Sequence, residues 1–150
     1  MARTTSFVPA LTDVSTTPQA TVGTLLQNAN RTYKYVKFAG ANAVAAGDLV
    51  GYVASAGATD TMNTVDGAVG SGPAGVAVAA VATAGGVQYG FIQTRGYAIS
   101  SAAIAGGASA GQTLKQGTYP AFTLQTAATI PNAATLFDAT NKIVALTCPD

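Results

Sequence analysis

Histidine, glutamate and tryptophan are absent from this 150-residue chain, and cysteine occurs once, as Cys148. Without His and Glu the commonest general acids and bases are missing, and the six aspartates stand singly along the chain instead of in pairs. Catalysis is therefore not expected, and no residue is assigned a catalytic, cofactor-binding or metal-binding role. A lone cysteine two residues from the C-terminus excludes an intramolecular disulfide. It is also too isolated for a metal site, so it reads as a thiol in the tail. Charged residues are 9% of the chain, against roughly 25% in an ordinary soluble protein. Thr, Ser, Asn, Gln, Gly and Ala must then cover most of the surface. The net charge of +1 has no block of one sign, so the footprint of a nucleic-acid or anionic-membrane binder is lacking.

Long hydrophobic runs of the membrane-spanning kind are missing too. No charge falls between Asp66 and Arg95, but Gly67 to Gly90 holds seven glycines and Pro73 and no Leu or Ile, which argues against a membrane span. The opening MARTTSFVPALTDV has no apolar stretch fit for a signal-peptide core, so synthesis in the cytoplasm is expected. A sustained amphipathic helix is likewise missing, with room for one short helix in the Ala-rich stretch near 101 to 110.

What is present is strand and turn chemistry. The first 32 residues carry eight Thr and two Pro, with Phe7, Val8, Leu11, Val14, Val22, Leu25 and Leu26 scattered among them. They read as an extended arm that keeps apolar anchors for docking, over residues 1–30. From Arg31 the stretch TYKYVKFAG alternates, with Tyr33, Tyr35 and Lys37 on one face and Lys34, Val36 and Phe38 on the other. The expectation is a half-buried strand with its lysines at an edge. AAGDLVGYVA reads as a turn followed by a strand, and SAGQTLKQG echoes it. GVAVAAVA, TAGG and VQYGFIQTRGYAI read as a hairpin in which Val87, Tyr89 and Phe91 share a face and Val76 and Val78 pack across from them. AFTLQT and ATLFDATNKIVALT add three strand candidates, the last two joined near Asp138 to Lys142. The expected fold is all-β: a small barrel or sandwich body over 31–150, preceded by the arm.

Three short motifs match chemistry that the rest of the chain does not support. Gly70, Gly72 and Gly75 have G-x-G-x-x-G spacing, but no acidic residue occurs between Asp66 and Asp138, and the run that follows meets two glycines too soon for a dinucleotide-binding helix. GASAG places Ser109 as in a nucleophile elbow, yet no His exists to activate it. Asp60, Asn63 and Asp66 are spaced by three and lack a closing Glu, unlike a calcium loop. YKYVKF could suggest a base-stacking platform, but alternation divides its aromatic and basic residues between two faces.

The run from AAGDLVGYV through GPAGVAVAAVATAGGVQYGFIQTRGYA to SAGQTLKQG resembles the small head decoration, or capsid cement, proteins of tailed double-stranded DNA phages. The long Thr-rich N-terminus departs from that pattern. The resemblance implies a compact β-rich body, a homotrimer seated where subunits of the major capsid protein meet, and a role in locking the expanded shell on the virion surface. Neither nucleic acid, membrane nor a small-molecule substrate would be its partner. Phe7, Val8, Leu11 and Val14 are the residues expected to carry the arm's contact with the capsid.

A phage tail, fibre or adhesin module that binds a cell surface or glycan is the nearest rival. Such modules often carry longer repeats or added aromatic sugar platforms, whereas aromatics here are 7% with no Trp. An enzyme built on the Gly70 loop or on Ser109, and a β-barrel binding module with no virion role, are the other readings.

Overall fold

The period-two alternation of residues 31–38 folds as a strand whose two faces meet different surroundings. The computed structural model describes residues 9–39, 43–53, 64–66, 72–82, 86–101, 104, 108–116, 122–124 and 134–148. These residues form ten strands and no helix: β1(Leu25–Asn28), β2(Arg31–Phe38), β3(Leu49–Tyr52), β4(Thr64–Asp66), β5(Pro73–Ala77), β6(Gln88–Ile99), β7(Thr113–Gln116), β8(Phe122–Leu124), β9(Ala134–Asp138) and β10(Ile143–Thr147). The protein is all-β, as its composition and turn signals imply. The short helix allowed for near 101 to 110 is not seen among the described residues there; 102, 103 and 105–107 lie outside them.

The strand order β2-β4-β3-β5-β6, with a further pairing of β6 to β2, closes a five-stranded ring. The β2–β4 pair is parallel and the other four are antiparallel. Inward-facing Val36, Phe38, Val50, Tyr52, Val65, Ala74, Ala77 and Ile92 fill this barrel, and Val44 and Val81, joined by their own bridge, pack with them. Each large side chain buried this way contributes about 1.5–3 kcal/mol.

β6 is long enough to serve two sheets. Its first part pairs with β2 and β5, and from Arg95 to Ile99 it pairs with β10. The sheet then continues β10-β9-β7-β8. This layer folds back on the barrel and encloses a second core, in which Leu49 and Val76 of the barrel strands meet Ala98, Leu114, Ala134, Leu136, Val144, Leu146 and Cys148. Cys148 is 1% exposed, so the expected tail thiol is instead a core residue. Nearness to the chain end says nothing about burial when the last strand runs into the core.

Two more expectations are corrected by the closed ring. β2 is not an edge strand, since β1, β4 and β6 all pair with it. Lys34 shares the inward face with Val36 and Phe38; it is 5% exposed, with its Nζ 5.4 Å from the centroid of the Tyr52 ring, a cation–π arrangement. In the β5–β6 pair the register sets Val76 opposite Gln93 and Ala77 opposite Ile92. Val76 joins the second core and Val87 is exposed, while only Val78 packs with Tyr89 and Phe91. The barrel's outer surface curves away between two different covers, so residues of the same parity part company.

The echo between AAGD and SAGQ extends to a third copy, TVGT. In Thr21–Thr24, Ala45–Asp48 and Ser109–Gln112 the fourth residue's amide donates to the first residue's carbonyl, at 3.1, 3.1 and 3.2 Å. The third residue is glycine with φ of 92°, 90° and 86° respectively (Gly23, Gly47, Gly111), the left-handed value that a type II turn demands. Each glycine amide then donates to a neighbouring strand, to Tyr35, Ala77 and Leu136, whose own amide returns a bond to the fourth residue's carbonyl. Two residues thus face one, which is a glycine bulge. The three units launch β1, β3 and β7. The second and third also lead into the same connectivity: β3 pairs with β4 and β5, and β5 with β6, as β7 pairs with β8 and β9, and β9 with β10.

Candidate functional site

The residues expected to carry adhesion begin at the N-terminus. Residues 9–28 run over the outer surface of β2 and β6. Asp13 closes a turn by accepting from the Ala10 amide at 2.8 Å, and Ser15 and Tyr89 exchange backbone hydrogen bonds of 3.1 and 2.8 Å. The Gln19 amide donates to the Tyr35 hydroxyl at 3.0 Å. Underneath lie Tyr33, Tyr35 and Phe91, with the Tyr35 ring 5.0 Å from Phe91 and stacked 6.5 Å from Tyr89. Leu11, Ala20 and Leu26 complete this cluster. Of the four arm residues, Leu11 packs here and Val14 against the barrel cluster, both half-buried on this chain's own body. Phe7 and Val8 lie outside the described residues. Residues 25–28 of the expected arm form β1, which pairs with β2 in the same sheet as the body.

A second surface was not singled out from the sequence. On β6, β10 and β9 alternate residues Ala98, Val144, Leu146 and Leu136 enter the second core. The opposite face therefore carries Tyr97 beside Ala145, and Ile99 beside Ile143. Phe137, next to core-facing Leu136, lies on the same outward face; beside it β9 and β10 slip by one residue, Ile143 pairing with Asp138 but Val144 with Leu136, which leaves Phe137 unpaired in a bulge. Tyr97 is 50%, Phe137 59% and Ile99 69% exposed, and the first two rings meet edge to face at 5.0 Å. Three large apolar side chains together on one rigid sheet face form a contact surface suited to another macromolecule. The signal in the sequence was the alternation of YAI and LFD, but which parity faces solvent depends on what covers the other side.

The turn between β9 and β10 is the best-defined polar feature beside that face. The Asp138 carboxylate accepts from the Thr140 amide at 2.8 Å, from the Asn141 amide at 3.0 Å and from the Asn141 side-chain amide at 2.8 Å. Donation by the Asn141 backbone amide and then by its side chain holds the Asp138 carboxyl below its ordinary pKa, with a smaller lowering from the Thr140 amide, against an opposing effect of desolvation.

Two of the three chemical motifs fall on elements that their chemistry does not use. Where a dinucleotide site needs a helix after its glycines, Pro73–Ala77 is strand β5, and Gly75 lies within it. Ser109 sits in the exposed turn before β7, its amide donating to Gln112 Oε1 at 2.6 Å, with no strand-to-helix elbow. Asp60 and Asn63 lie outside the described residues. Among the described residues no three His, Cys, Asp or Glu side chains group as metal ligands, and no helix is long and apolar enough to cross a membrane. No protein-family model, curated protein or solved structure matches this chain.

Proposed function

We propose that this chain is a structural virion protein, a decoration or cement subunit that binds the major capsid protein on the outer surface of a phage shell and stabilises the expanded shell. It would be made in the host cytoplasm, act as a homotrimer on the capsid surface and carry no enzymatic activity. The observation that supports this reading best is the sheet face bearing exposed Tyr97, Ile99 and Phe137 on a body braced by two cores. Apolar side chains on such a face bind without any ordering cost in the backbone. Trimer symmetry would present three such faces together, and linked contacts raise avidity by about 10² to 10⁴ when all can engage. Because Leu11 and Val14 already pack on the chain's own barrel, this face and the residues before Pro9, Phe7 and Val8 among them, are the principal contacts in this proposal.

The test mixes purified protein with expanded shells that lack it, and measures co-sedimentation and the temperature at which the shells fail. Saturable binding that raises that temperature, weakened by Ile99→Asp and Phe137→Asp, is the expected result. No binding at saturating concentration removes the proposal.

A further inference from the structure

The β1–β2 hairpin turns through only two residues, Ala29 and Asn30, with Asn28 opposite Arg31. Ala29 has φ of 51°, a left-handed conformation that residues with a Cβ resist. The loop leans on β6 at Gly96, whose φ is 89°. A Cβ at Gly96 would overlap the Asn30 carbonyl oxygen and stand 3.1 Å from Arg31 Cγ. Between the loop and the strand lies a cleft of about 380 Å³, lined by Asn28, Ala29, Asn30, Arg31, Tyr33 and Tyr97. Its volume falls in the range of small-ligand sites.

The lining has a specific chemistry. The side chains of Asn28, Asn30 and Arg31 are exposed and bond to no other side chain or backbone group among the described residues. Each amide offers donors and an acceptor, and the guanidinium offers a planar set of donors. Tyr97 is half exposed, and its ring is held in place by Phe137 at 5.0 Å. A purely apolar ligand would strand three planar polar groups. A nucleotide phosphate would find one arginine and no helix N-terminus or glycine nest. A sugar ring satisfies the whole set, because its hydroxyls both donate and accept while its C–H face lies flat on an aromatic ring.

We propose that this cleft is a saccharide-binding site, with Tyr97 as the stacking platform, Asn28 and Asn30 reading hydroxyls, and Arg31 favouring a sugar that bears a carboxylate. Arg–carboxylate pairing is bidentate and stronger than neutral hydrogen bonding, so the acidic sugar is the tighter ligand. The site does not depend on attachment to a shell.

The full-length protein is applied to a printed array of neutral, uronate-bearing and sialate-bearing oligosaccharides. Retention of at least one class is expected, and Tyr97→Ala or Asn28→Ala should lower it by about tenfold, one missing contact of about 1.4 kcal/mol. Arg31→Ala should lower acidic glycans more than neutral ones. Val87→Ser, an exposed change outside both surfaces, should leave retention unchanged, and thermal melts confirm that each variant is folded. The proposal is overturned if the wild-type protein retains no glycan, if Tyr97→Ala and Asn28→Ala bind as well as wild type, or if Val87→Ser loses as much as they do. Glycan retention by protein that fails to co-sediment with shells would remove the shell reading and leave the cleft standing.

Discussion

Gly75 of β5 lies so close to Gln93 of β6 that a Cβ built on it would stand 2.5 Å from the Gln93 carbonyl oxygen and 3.2 Å from Ile92 Cδ1. The third glycine of the nucleotide-like motif therefore permits close approach of two backbones in the barrel wall. Gly75→Ala must push the strands apart, at a cost of about 1–3 kcal/mol. A chemical-denaturation midpoint unchanged from wild type would contradict this account.

Asp48 and Gln112 occupy equivalent places in two of the repeated turns but in different surroundings. Asp48 is 5% exposed; it accepts from the Ala45 amide at 2.8 Å and from the Ser101 hydroxyl. Gln112 is exposed and accepts from Ser109. Asp48→Ala removes a buried carboxylate that accepts two part-buried hydrogen bonds and should cost about 1–3 kcal/mol. Gln112→Ala, where water can replace the amide, should cost about 0.5 kcal/mol or less. Equal losses in the two melting curves would mean that the turn alone, and not its burial, sets the energy.

Burial of Cys148 in the second core predicts a protected thiol. Labelling with a maleimide should proceed about a hundredfold slower in the native protein than in denaturant, the ratio for a local opening of about 3 kcal/mol. Comparable rates would place the thiol at the surface.

The turn at Asp138 should respond to acid. Its pKa is lowered from 3.8 in the folded chain, so the stabilisation it gives is present above the unfolded value and is lost as pH falls through the folded one. An NMR titration of the Asp138 carboxyl should show a midpoint below 3.8, and Asn141→Ala should move that midpoint upward by removing one of the donors. A wild-type midpoint at or above the ordinary value would sink the assignment.

Alternation in TYKYVKF was enough to place Lys34, Val36 and Phe38 on one face of a strand, because the period of two is a property of the backbone itself. Glycine at the third place of AAGD and SAGQ likewise fixed two turns, since few other residues adopt that φ. The third copy, TVGT, carries a different signature in its fourth residue, because Thr24 donates its hydroxyl to the Thr21 carbonyl at 2.6 Å, whereas Asp48 and Gln112 accept from the first residue's amide.

Local chemistry in the sequence thus determined an all-β chain, its turns and the two faces of its strands. Ring closure between β2 and β6, the burial of Lys34 and Cys148, and the gathering of Tyr97 with Phe137 on one side and Arg31 on the other were decided only by tertiary structure. Those features rest on pairings between residues far apart in the chain. Hydrophobic burial rewards such pairings without regard to sequence distance, so no window along the chain contains them.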